Sequence, residues 1–169
     1  MSIKQAALMF VVPMLTAMLS VLMVRVQYEQ RVMRVIIAPA IILHELGHML
    51  FGMLTGADVV RYQLLPSRTS AGFVTIRAEG EISSLISPMF MLLGPALLGW
   101  GGGAALMAYV WTHHVPAWAT AASVIGLPYL FNAGVLSGFD TKALGGFGKL
   151  VLLNLEVMVL WLFVHTVGL

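Results

Sequence analysis

At 169 residues the chain has the length of one domain, but 60% of it is hydrophobic and only 9% charged, against about 45–50% and about 25% in soluble domains. With a mean hydropathy of +0.95, these proportions exclude an ordinary water-soluble fold and point to an integral membrane protein. The net charge of +2 rests on few groups, too few for a nucleic-acid surface, and the absence of cysteine leaves only His, Asp or Glu to hold any metal.

Five apolar segments follow in chain order, 6–24, 32–55, 86–111, 115–139 and 150–167, each near the ~20 residues that a spanning helix needs. The first follows Lys4 as the core of a secretory signal would. No small-residue cleavage site comes after it, so it is expected to stay as a helix. Between the second and third segments lies the one long polar stretch. There Val59–Leu64 and Gly72–Arg77 are rich in β-branched and aromatic residues and flank the turn formers Pro66-Ser67-Arg68-Thr69-Ser70. This predicts a β-hairpin over 58–78, leaning on the helices because an isolated hairpin is marginal. The expected architecture is an all-α membrane bundle of about five transmembrane helices with a small β-hairpin at the membrane surface, in a single domain.

Five spans would put Lys4, Arg61, Arg68, Arg77, Lys142 and Lys149 on one side and Arg25, Arg31 and Arg34 on the other. The excess predicts a cytoplasmic hairpin side in a multi-pass cell-membrane protein.

The second segment carries the sequence His44-Glu45-Leu46-Gly47-His48. Histidines four apart share one helix face about one turn apart, so both imidazoles can hold one Zn²⁺, with the glutamate placed to act on a water activated by the metal. One lone histidine in an apolar helix would be read as a satisfied core residue. Three ionisable groups in five positions are a different matter, since each costs about 2.5–3.5 kcal/mol at the centre of a bilayer. His48 lies eight residues before Gly56, roughly 12 Å below the hairpin end of its helix.

A catalytic zinc takes three protein ligands and keeps one open position. The third ligand is not local, and the candidates are Asp58, Glu79, Glu81, Asp140 and Glu156. The first three flank the hairpin as ordinary surface charges, and Glu156 with Asn154 suits a contact between helices. Asp140 stands apart because glycines loosen the chain on both sides of it, at Gly134, Gly138, Gly145 and Gly146. Irregular backbone at membrane depth is tolerated where it lines a wet cavity.

His44-Glu45-Leu46-Gly47-His48, the β region after it and the pair Asn132 and Asp140 eight residues apart together resemble the site-2 protease family of intramembrane zinc metalloproteases. Leu93-Gly94-Pro95-Ala96 is similar to that family's Gly-Pro element, and the resemblance runs from about Ala38 to Gly146. The family's second motif has a proline where this chain has Val135 and a glycine where it has Thr141. The resemblance implies a small, divergent member without appended regulatory domains. It implies Zn²⁺ held by His44, His48 and Asp140, with Glu45 as the catalytic base and Asn132 positioning substrate. The simpler expectation for Asn132 is a hydrogen bond between helices. The implied substrate is a transmembrane segment of another membrane protein, unwound locally and paired with the hairpin by strand addition. The oligomeric state stays open.

Two other functions fit the residues. The altered second motif suits a non-proteolytic metal-binding membrane module that binds or sequesters a partner helix. A metal-ion transporter would need several ligand clusters along a path, and one is visible. His113 and His114 fall in the turn between the third and fourth segments, and His165 near the far end; all three are expected at the surface. Gly101-Gly102-Gly103 is expected to allow close helix packing or a break in its span.

Overall fold

Ser2 opens the first helix with a reciprocal cap: its hydroxyl accepts from the Gln5 amide at 3.2 Å and its own amide donates to the Gln5 side chain at 2.9 Å. The structure, a computed structural model, describes residues 2–25, 31–68 and 70–135. Helix α1 (Ile3–Ala6) passes through a wider π turn (Ala7–Val11) into α2 (Val12–Arg25). Pro13 has no amide to close an ordinary turn onto Met9, and the wider turn precedes it directly.

Helix α3 (Arg31–Leu54) follows. Gly56, at φ 83°, makes the sharp exit that a residue with a side chain resists. Strands β1 (Ala57–Gln63) and β2 (Phe73–Ala78) then pair antiparallel from Ala57 opposite Ala78 to Gln63 opposite Phe73, with a bulge between Val59 and Arg61. The hairpin is therefore present where the alternation of β-formers predicts it.

It leans on the helices, as expected of so small a sheet. It doubles back along α3, because Ile76 reaches Gly52, Gly72 reaches Glu45, and Ala71 packs with Leu19, Ile37, Ile41 and Tyr129. A two-stranded sheet buries too little by itself, and α3 supplies the missing apolar face.

Helix α4 (Glu81–Ala96), a second π turn (Leu97–Gly101) and α5 (Gly102–Thr112) form one long rod, and α6 (Ala117–Ala133) returns beside it. A Cβ on Gly103 would meet the Phe131 ring at 2.9 Å, whereas Gly101 and Gly102 face open space, so one glycine of the run serves close packing. Among the described residues three stretches are long and apolar enough to cross a membrane: Ile3–Val21, Arg31–Leu54 and Ile86–Thr112. Helix α6, with 17 residues, spans roughly 26 Å. The fifth expected span, 150–167, lies outside the described residues.

Phe10, Met14, Val32, Val35, Leu54, Phe90 and Ile125 all point outward with large exposed apolar side chains. Among the described residues the interior holds two clusters. Leu8, Val12, Met107, Val110 and Leu127 fill the end nearest the α5–α6 turn, and Leu19, Ile37 and Ile41 fill the middle.

Lys4 lies away from the hairpin, with its Nζ donating to the carbonyls of His113 at 2.9 Å and Trp111 at 3.3 Å. The last carbonyls of α5 have no partners within their helix and attract a cation. The first helix, α1 into α2, runs from there, where Leu8 and Val12 meet Met107 and Val110, toward the hairpin, where Leu19 lies under Ala71, so Lys4 and Arg25 stand at opposite ends of one helix and exchange sides together.

Candidate metal centre

Helix α3 presents His44 and His48 one turn apart, with ring centroids 4.7 Å apart and planes at 89°. The two Nε2 atoms lie 3.2 Å from each other. The opposite edge of each ring is committed to backbone: His44 Nδ1 lies 2.9 Å from the Ala133 carbonyl of α6, and His48 Nδ1 lies 2.8 Å from the Met91 carbonyl of α4.

A carbonyl oxygen only accepts, so each Nδ1 carries the ring proton and each neutral ring keeps a bare Nε2. Two unprotonated nitrogens cannot hydrogen-bond to each other, but they can share one cation. A tetrahedral zinc with bonds of about 2.05 Å holds two nitrogens roughly 3.3 Å apart. The observed 3.2 Å matches that separation. The rings are thus held in the tautomer and spacing that a shared cation requires, and carbonyl partners of this kind ordinarily orient metal-binding histidines.

Gly47 explains how α4 comes close enough to take part. A Cβ there would lie 2.6 Å from the backbone N and Cα of Pro95, and a Cβ on Gly94 would collide with the Gly47 carbonyl. The glycine within the pentapeptide and the Gly94-Pro95 pair are two halves of one helix crossing.

Glu45 lies next to His44 on the helix, about 100° round the axis, and only 6% of it is exposed. The hairpin covers it: a Cβ on Gly72 would stand 2.8 Å from Glu45 Cγ and 2.9 Å from Oε1. The carboxylate therefore faces the point where β1 and β2 open into their connecting loop.

Asn132 is 2% exposed. Its Oδ1 accepts from Ser20 at 2.7 Å, and its Nδ2 donates to the Thr16 carbonyl at 3.1 Å and the Pro128 carbonyl at 2.9 Å. The bond between helices, the simpler expectation, is the one observed. It clamps the last turn of α6 to α2, directly beside the Ala133 carbonyl that holds His44.

Among the described residues no third His, Asp, Glu or Cys joins the pair to make a metal-binding group. Asp58, Glu79 and Glu81 are exposed, as expected. Asp140 and Glu156 lie outside the described residues. His113 stacks on Tyr109 at 4.3 Å in the α5–α6 turn, remote from the centre, and His114 is exposed beside it.

The comparisons add no relative: no protein-family model, curated protein or solved structure matches the chain.

Sequence reasoning finds the two histidines and the glutamate but misses Met91, Ala133 and Gly72. Met91 and Ala133 act through backbone carbonyls that any residue would carry, and Gly72 acts through having no side chain. Gly47 and Gly94 were legible in principle as small residues at a helix crossing.

Proposed function

We propose that this chain is an intramembrane zinc metalloendopeptidase of the site-2 protease kind, built on five spans, that hydrolyses a peptide bond in or near a transmembrane segment of another membrane protein. One observation carries the proposal: the Nε2 atoms of His44 and His48 lie 3.2 Å apart while both Nδ1 atoms lie within 2.9 Å of backbone carbonyls. A shared proton would also reconcile two such nitrogens, and the zinc content of the purified protein separates the two.

His44 and His48 hold the metal, and Asp140 supplies the third ligand. Zinc, when bound, activates water and polarises a carbonyl. Glu45 is the general base: its carboxylate takes a proton from the attacking water and returns it to the departing amide nitrogen. Burial beneath the hairpin keeps bulk water away from that exchange. Asn132 acts in this reading chiefly by fixing the end of α6, and contact with substrate is a further role open to it. The hairpin end of the bundle is assigned to the cytoplasm on the basic residues gathered there, Arg61, Arg68 and Arg77 of the hairpin region with Lys142 and Lys149 brought to the same side by five spans.

Purified protein should carry one zinc per chain, lost in His44→Ala, His48→Ala and Asp140→Ala. Glu45→Gln should retain the zinc and lose cleavage of single-span test substrates in bilayers. Cleavage by Glu45→Gln at the wild-type rate would overturn the assigned chemistry. Zinc retained by Asp140→Ala would remove that residue from the site and favour the non-proteolytic, partner-binding alternative.

A further inference from the structure

We propose that Pro95 is a positioning residue for the histidine pair: because it has no amide hydrogen, it leaves the Met91 carbonyl open to hold His48 with Nδ1 protonated and Nε2 bare. In an α-helix the carbonyl of residue 91 accepts from the amide of residue 95. Helix α4 has proline at that position, so that donor does not exist.

A proline ring also crowds the carbonyl four residues before it and pushes it away from the helix axis. The chain responds on the C-terminal side, where the π turn Leu97–Gly101 begins two residues later. On the other side, the freed Met91 oxygen lies 2.8 Å from His48 Nδ1. Gly47 and Gly94 bring the two backbones together at the same level, so no side chain comes between them.

His44 meets the same need by another route. Its acceptor, Ala133, is the last residue of α6, where a helix leaves carbonyls without internal donors. One histidine is held by a helix end and the other by a helix interrupted chemically from within. A leucine or alanine at 95 would close the α4 bond and return the Met91 carbonyl to its own helix.

Helix α4 contains its own control. Pro88 lies in the same helix and frees the carbonyl of residue 84, about 10 Å along the axis from Met91. A general effect of proline on helix shape would follow either residue, whereas control of His48 follows Pro95 alone.

The inference takes its purpose from the zinc reading, but its first test needs no metal. Full-length, metal-free protein with ¹⁵N-labelled histidines, in bilayer discs at a pH where imidazole is neutral, should show His48 as the Nδ1–H tautomer, assigned by its loss in His48→Asn. Pro95→Ala should convert His48 to a mixture of tautomers while His44 stays Nδ1–H. Pro88→Ala should change neither ring. Zinc affinity, read by competition with a chelator, should fall about 10–100-fold in Pro95→Ala, as it does on loss of other partners of metal-binding histidines, and hold in Pro88→Ala.

The inference is overturned if wild-type His48 carries its proton on Nε2, a result that needs no variant to fold. It is equally overturned if folded Pro95→Ala keeps both tautomer and affinity, or if Pro88→Ala matches its losses. A chain that shows the tautomer change but binds no zinc in any form upholds the role of Pro95 and overturns the zinc reading alone.

Discussion

Gly72 shows how a residue without a side chain can govern one that has chemistry. Its Cα lies against the Glu45 carboxylate, and a methyl group there would overlap Cγ and Oε1 at 2.8 and 2.9 Å, with the Gln63 carbonyl at 3.0 Å closing the third side. The Glu45 side chain is the softest of these neighbours and would be the one to move. Gly72→Ala should therefore lower cleavage at least about tenfold, because misplacing a proton-transfer group by an ångström is enough for such losses. Zinc content should be unchanged, since neither histidine is touched. Gly102→Ala, where an added methyl meets nothing within 4 Å, should be silent in both measurements. Asn132 is the residue-scale counterpart in stability. Asn132→Leu removes the side-chain clamp between α6 and α2, leaving the Ser20 hydroxyl only the Thr16 carbonyl at 2.9 Å, and should cost about 1–3 kcal/mol, read as a fall in the midpoint of denaturant unfolding in micelles.

Among the elements, the hairpin shows what the sequence carries and what it does not. Val59, Val60, Tyr62, Phe73, Val74 and Ile76 announce strands by β-propensity, and Ser67 and Ser70 announce the turn, which the structure closes with Ser67 N–H on the Ser70 carbonyl at 2.8 Å. The direction in which the hairpin folds has no such local signal. It depends on Gly52, which offers a notch for Ile76, and on the apolar floor of Leu19, Ile37 and Ile41 beneath Ala71. The histidines were legible because four-residue spacing is a property of one helix. Their carbonyl partners belong to two other helices, and no pattern within α3 could reveal them. The notch is testable as a unit. Gly52→Leu should lift the hairpin off α3 and depress both cleavage and the thermal midpoint. Adding Ile76→Ala should restore part of each, with a coupling in the range of about 0.5–3 kcal/mol for residues in contact. Additive losses in the double variant would show that the two do not meet.

At the scale of the whole molecule, the centre's depth is a consequence of where the long rod of α4 and α5 enters and leaves. Ser87 donates to the Thr55 carbonyl at 2.9 Å, tying the start of that rod to the hairpin end of α3. Its far end, Thr112, leads into the exposed His113-His114 turn. The 27 residues of Ile86–Thr112 run roughly 40 Å along the axis, more than the ~30 Å hydrocarbon layer. Two exposed positions just beyond its ends, Glu79 and His114, must then face opposite compartments, and the histidine pair lies between them, nearer Glu79. The chain has no cysteine, so single cysteines report without background. In intact cells a membrane-impermeant maleimide should label one of Glu79→Cys and His114→Cys and leave the other for permeabilised cells. Under the proposed orientation His114→Cys is the one labelled from outside. Labelling of both from the same side would deny the rod its passage through the bilayer. The proposed centre would then lose the apolar surroundings on which the exclusion of bulk water from Glu45 and the proposed transmembrane substrate both rest.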